Sequence, residues 1–284
     1  MPLDSNSTTY HDLISVQSIP PLPVTAAALL KLAGDPDVEI GDLARAIERD
    51  PGLTARLIGI ANSVFYAPRR TVVNVHDAIV HVLGLNLVRN MAFGMAVTGA
   101  LSTDACRRFD LTEYWLIALG TADLASGLAR SASPPRSADP DATYLVGLLH
   151  NLGELLMAHL WPTKFDAALR LTADGTSGSL EEAEHALMGI DHWAAGAFLA
   201  RHWQLPAIVA EGVTRLGDPL AAASDPPMVR MLRAARKWVV GVTAGHVETL
   251  RVAGVEEAQC EYRSGAFLNR YDALTSLAGA LGAA

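Results

Sequence analysis

Gly147-Leu148-Leu149-His150-Asn151-Leu152-Gly153-Glu154 sets three polar side chains into an otherwise apolar, helix-patterned segment. His150 and Glu154 are one helical turn apart, and Asn151 and Glu154 nearly so, which predicts a shared polar sector on one helix over residues 144–160. Burying such groups costs free energy unless each finds a partner. A second polar cluster, Glu184, His185, Asp191 and His192, lies downstream, and Gly189 interrupts any single helix through it.

The surrounding sequence is helical in period throughout. Ile40, Leu43, Ala44 and Ile47 fall on one helix face, and Asp50-Pro51 ends that helix and starts the next. Leu53, Leu57 and Ile60 form the buried stripe of that second helix. Asn62-Ser63 reads as helix termination, and residues 66–70 as a loop. Helices are expected over residues 76–83 (closed by Gly84), 87–101, 111–129, 165–173, 180–188 and 190–203, with a short one after Pro206. Two long helical segments, 228–247 and 253–283, complete the chain, Gly265 and Gly279 softening the second. No period-2 strand appears, so the fold class is all-α, a multi-helix bundle. Polar stretches at 102–110 and 224–227 divide it into an N-terminal lobe (1–103), a second lobe (104–223) and C-terminal helices (224–284) that pack on the module or extend it.

Composition narrows the function. Half of the 284 residues are apolar and the net charge is −8, which suits a large core and gives no electrostatic source of nucleic-acid affinity. The longest uncharged apolar run, 91–101, is too short to span a bilayer, and no secretory leader is visible, so a cytoplasmic location is expected. Cys106 and Cys260 are far apart and outside any CxxC pair, which points to free thiols. Neither they nor Ser126 has a neighbouring base, and no phosphate-loop glycine motif occurs. Arg69-Arg70 reads as a solvated pair, the alternative being a phosphate or nucleotide contact, and residues 230–237 as an amphipathic helix with its four basic groups in water, the alternative being a partner-binding or membrane-surface helix. The His and carboxylate clusters could build a metal site, the alternative being hydrogen-bonded core histidines.

Order and spacing of short motifs carry a resemblance. Pro21-Leu22-Pro23, Asp50-Pro51, Ala61-Asn62-Ser63 with Phe65-Tyr66, Ala78-Ile79, Leu83-Gly84, Tyr114-Trp115 and Gly147-Leu148-Leu149-His150 occur in sequence. Glu184, Gly189, His192, Gly196, Trp203 and Leu205-Pro206 follow. From Ile19 to Pro219 the chain resembles the HDOD family, bacterial helical relatives of the HD-domain phosphohydrolases. That resemblance implies an HD-like helical fold and a non-enzymatic regulatory role in signal transduction. Three departures weaken the inherited metal centre. Ile117 stands where HD enzymes place a histidine, Asn151 replaces the aspartate of the His-Asp pair, and Leu216-Gly217 replaces the His-His pair common in the family.

Only His150 and His192 remain as remnant ligands, too few for the usual zinc site. No catalytic residue, metal or cofactor is therefore expected. The ligand-pocket candidates are His150, Asn151, Glu154, Glu184 and His192. The expected partner is a protein of a bacterial signalling pathway or a nucleotide second messenger, not a nucleic acid, and no membrane span is expected. The opposing reading is a metal-dependent phosphohydrolase or phosphodiesterase acting on a nucleotide or cyclic dinucleotide, with His150, His185, Asp191 and His192 as a rearranged ligand set.

Overall fold

The computed structural model describes residues 19–33, 38–132, 138–218, 220 and 224–283. Its described residues contain helices and loops and no β-strand. The N-terminal helices are α1 (Val24–Ala33), α2 (Ile40–Glu48), α3 (Pro51–Ala61), a short α4 (Val75–Ala78) and α5 (Leu85–Thr98). Asp50 caps α3 by accepting the Leu53 amide at 3.0 Å, with Pro51 in the first turn, as their side chains dictate. Asn62 closes α3, and its amide group exchanges two 2.8 Å hydrogen bonds with the Val72 backbone. That two-way bond pins the intervening loop, a role beyond helix termination. After α4 the chain makes one π-helical turn, Ile79–Leu83. Gly84 ends it at φ +81, its amide donating to the Ile79 carbonyl at 2.9 Å.

Helix α6 (Leu111–Ser131) is the central element, buried along most of its length. Against one side lies α7 (Pro140–Leu149), so close that a Cβ on Gly147 would come within 2.7 Å of the Ala122 Cα. Helices α8 (Leu152–Leu160), α9 (Pro162–Ala173), α10 (Leu180–Met188), α11 (His192–His202) and α12 (Ala207–Leu216) follow. The last three, α13 (Pro227–Thr243), α14 (Glu257–Leu268) and α15 (Tyr271–Gly282), return to α6. Gly120 of α6 admits Val239 and Phe267, and Arg270 pairs with Asp123 at 2.8 Å. The apolar side chains of all these helices merge into one hydrophobic cluster. Trp203, at the end of α11, donates its indole N–H to the Pro20 carbonyl at 2.9 Å and so ties the first described residues to the middle of the fold.

Two segments expected as single helices are broken in two, and the helix expected over 228–247 ends at Thr243. The segment 144–160 is not one helix. It breaks at His150 and Asn151, where Asn151 adopts φ −101 and ψ 16 and the Glu154 amide bonds back to the Asn151 carbonyl at 3.0 Å. The bend aims Gly153 at α11, and helix periodicity carries no record of that tertiary contact. Residues 253–283 likewise split, at Asn269 and Arg270, where Arg270 turns to reach Asp123.

Candidate functional site

The polar centre is built where α7 breaks into α8 and where α10 hands over to α11. His150 follows α7 with no solvent exposure, and its Nδ1 donates to the Gly147 carbonyl at 2.6 Å. A carbonyl only accepts, so neutral His150 carries its proton on Nδ1 and presents a bare Nε2. Burial, reinforced by the charge of Arg236, lowers its pKa from 6.5 to about 3. Asn151, also buried, donates its Nδ2 to the Tyr114 carbonyl at 3.3 Å. A carboxylate there would face that carbonyl with no proton to offer, so this backbone is built around an amide.

Glu184, fully buried on α10, accepts both the backbone N–H and the Nδ1–H of His192 on one carboxylate oxygen, at 2.9 and 2.8 Å. One side chain therefore satisfies the start of α11 and orients its first imidazole. Burial pulls His192 downward, but the hydrogen bond and charge of Glu184, with Glu154 beyond, outweigh it and raise its pKa. Glu154 sits on the first turn of α8 with its side chain 16% exposed. Burial raises its carboxyl, with His192 and Arg236 pulling the other way.

Gly189 takes φ +76 to end α10, so the chain can turn into α11 within a few residues. Asp191 then caps α11 through the Ala194 amide at 2.8 Å and pairs with the half-exposed His185 at 2.9 Å. His185 and Asp191 thus form a surface cap. His150, His185, Asp191 and His192 do not assemble into the rearranged ligand set of the opposing reading: among the described residues no three His, Cys, Asp or Glu side chains gather into a group able to hold a metal. Ile117 contributes alkyl surface only. The donors present do not fit a metal centre, although His150 Nε2, His192 Nε2, Asn151 Oδ1 and Glu184 Oε1 are all buried without a protein hydrogen bond.

Two residues outside the sequence-derived site shape it most. Trp193 lies against both histidines, its ring centroid 4.6 Å from His192 and 6.2 Å from His150, and its Nε1 donates to Glu181 at 3.1 Å. A Cβ on Gly217 would come within 2.4 Å of the Trp193 Cβ. A histidine at 217 is incompatible with the tryptophan in this packing. Arg236 of α13 stacks its guanidinium over the Trp193 ring at 4.7 Å and reaches to 4.0 Å from Glu154. The expectation that residues 230–237 turn their basic face to water is corrected here. Arg236 points inward, and Arg233 of the same helix bonds Asp225 and the carbonyls of Arg215, Leu216 and Asp218 at the end of α12. Helix phase carried the signal, since Arg236 is four residues after Leu232 and three before Val239, both fully buried. Outside Trp193 a cavity of about 400 Å³ opens, lined in part by Arg236 and Lys237.

The two histidines shift in opposite directions, and this gives a measurable pH dependence. His150 titrates lower in the fold than in the unfolded chain, so the unfolded chain binds more protons between pH 6.5 and about 3, and stability falls as pH falls through that window. His192 is raised, so its contribution is complete below its unfolded value and is lost as pH rises through its folded value. The raised Glu154 also opposes His150. The His150 effect is therefore read as a difference. Urea unfolding of wild type and His150→Asn should diverge in pH slope by about 1.4 kcal/mol per pH unit below pH 6.5. Parallel slopes would show that His150 is not buried and neutral.

The HDOD domain model matches residues 19–219. A crystal structure from Marinobacter aquaeolei VT8, of a protein that bears a signal transduction name, is 30% identical with a TM-score of 0.81 over 96% of this chain and 61% of its own. A second, from Shewanella amazonensis SB2B and named for a phosphohydrolase, is 24% identical with a TM-score of 0.75, covering 94% of this chain and 96% of its own, and shares the fold. An uncharacterized protein of Treponema pallidum (strain Nichols) is 27% identical over 194 residues, 67% of this chain. This chain spans 36% of that relative's length. No helix among the described residues is long and apolar enough to cross a membrane. With the motifs, the helical architecture and the 19–219 match in agreement, this chain belongs to the HDOD domain family.

Proposed function

We propose that this chain is a non-catalytic regulatory module that acts by recognition, binding a protein partner of a cytoplasmic signalling pathway or a small ligand. The observation that carries this reading is the packing of Trp193 against both histidines, with Arg236 over its outer face. An indole and a guanidinium occupy the surroundings of the remnant ligands. Polar groups that a hydrolase would turn toward substrate serve helix packing instead: Glu184 caps α11, and Asn151 holds α6. A second cavity of about 420 Å³, lined by Tyr66 and Asn90 on one side and by Asp123, Tyr144 and Arg270 on the other, gives a ligand or partner segment a place to bridge the N-terminal helices and α6. Binding there or beside Trp193 would favour one packing of the helices over another, which is how recognition becomes a signal. The signal transduction name of the Marinobacter relative, which is longer than this chain, is consistent with that role.

Metal analysis and a phosphodiesterase assay with bis(p-nitrophenyl) phosphate test the proposal. The expected result is sub-stoichiometric metal in purified protein and no turnover above buffer when manganese or zinc is added. Stoichiometric tight metal, with turnover abolished in His150→Ala, would replace this reading with the hydrolase one.

A further inference from the structure

We propose that the cavity of about 400 Å³ outside Trp193 binds a phosphate-bearing small molecule through Arg236 and Lys237. The proposal rests on the recognition reading above and gives it a ligand class. Acceptors on the wall are occupied: Asp191 takes the Ala194 amide and His185, and Glu181 takes the Trp193 indole N–H. Arg233 is spent on Asp225 and on carbonyls at the end of α12. What remains unused is cationic.

Arg236, a quarter exposed, makes no side-chain hydrogen bond among the described residues, and its one ion-pair contact, 4.0 Å to Glu154, is longer than a hydrogen bond. Lys237, the next residue, is exposed and makes no hydrogen bond or ion pair among the described residues. A guanidinium stacked on an indole, beside an exposed ammonium, is a donor set for phosphate oxygens. The volume exceeds what a lone phosphate fills and falls within the range of small-molecule sites. Occupancy would draw Arg236 away from Glu154. Because Arg236 also acts on His150 and His192, an anion at the mouth would alter the field over the whole centre and the seating of α13.

Isothermal titration of the full chain at low ionic strength tests this, with pyrophosphate, inorganic phosphate and AMP as probes and adenosine and acetate as controls. The three phosphate probes separate an inorganic from an organic phosphate ligand. Pyrophosphate or AMP should bind, adenosine should not, and added salt should weaken binding. Arg236→Met should reduce affinity about tenfold or more. Lys237→Met, a change at an exposed position that leaves the core intact, should also weaken it measurably. Arg251→Met, in the adjoining cavity around Trp238, should leave it unchanged. Absence of binding for every phosphate probe, or wild-type affinity in Lys237→Met, would overturn the proposal. Hydrolysis of pyrophosphate or AMP in the same cell with added manganese would instead overturn the non-catalytic reading and leave the binding site standing.

Discussion

Glu184→Ala should destabilise the fold by about 3–5 kcal/mol, the range expected when one partner of a buried ion pair is removed. Both groups are shielded from water, His192 at 1% and Glu184 at 0% side-chain exposure. Removing the carboxylate strands two donors at once, the Nδ1–H of His192 and the backbone N–H that opens α11. It also removes the larger of the two carboxylate influences that oppose burial at His192, leaving only Glu154, so the His192 pKa should fall. Glu184→Gln keeps one acceptor and the side-chain volume but not the charge, so its loss should be smaller. Urea denaturation, monitored by far-UV circular dichroism, measures both. A loss below about 1 kcal/mol for Glu184→Ala would place the pair in water, contrary to the structure.

Gly153→Ala should be as damaging, for a steric reason. A Cβ at 153 would lie 1.7 Å from the His192 carbonyl oxygen and 2.7 Å from the Gly196 amide nitrogen. Both neighbours are backbone, so no rotamer change relieves the clash, and α8 and α11 would have to move apart. Overpacking of a core costs roughly 1–3 kcal/mol and occasionally more, and a backbone clash of this depth belongs at or above about 3 kcal/mol. Moving α8 from α11 would also shift Glu154 relative to His192. The expected outcome is a large loss of thermal stability, with the His192 resonances displaced in NMR spectra. Near-native stability would mean that the helices are not in backbone contact.

The helical architecture was legible in the sequence because apolar residues recur at helical spacing along the chain, and some helices open on ordinary caps, such as Asp50 before Pro51. The family was legible because short motifs recur in fixed order. Five site residues were legible as chemistry, and the structure brings His150, Asn151, Glu184 and His192 into one buried region with Glu154 at its edge. The way they are used was not. Asn151 reads as a lost metal ligand, yet its amide N–H binds a carbonyl of α6, a contact 37 residues away in sequence. Trp193 and Arg236 reach the centre through packing between helices from distant parts of the chain, and local periodicity records only that Arg236 shares a face with Leu232. The helix break at His150 was hidden for a related reason. The break coincides with the close approach of α11 to Gly153, and the leucine spacing at 148, 152 and 155 continues through it.

The indole of Trp203 reaches the Pro20 carbonyl across 183 residues of chain. On a ribosome, Pro20 emerges long before Trp203 exists. The N-terminal helices can form early, but this seam cannot close until α11 has left the exit tunnel. Synthesis at about 5–20 residues per second makes that interval on the order of ten seconds or more. During it, Ile19 and the neighbouring apolar residues lack part of their final cover. Nascent chains stalled before Trp203 should therefore be more open to protease near Pro20 than chains stalled after α12, so the order of synthesis sets when this end of the molecule becomes protected.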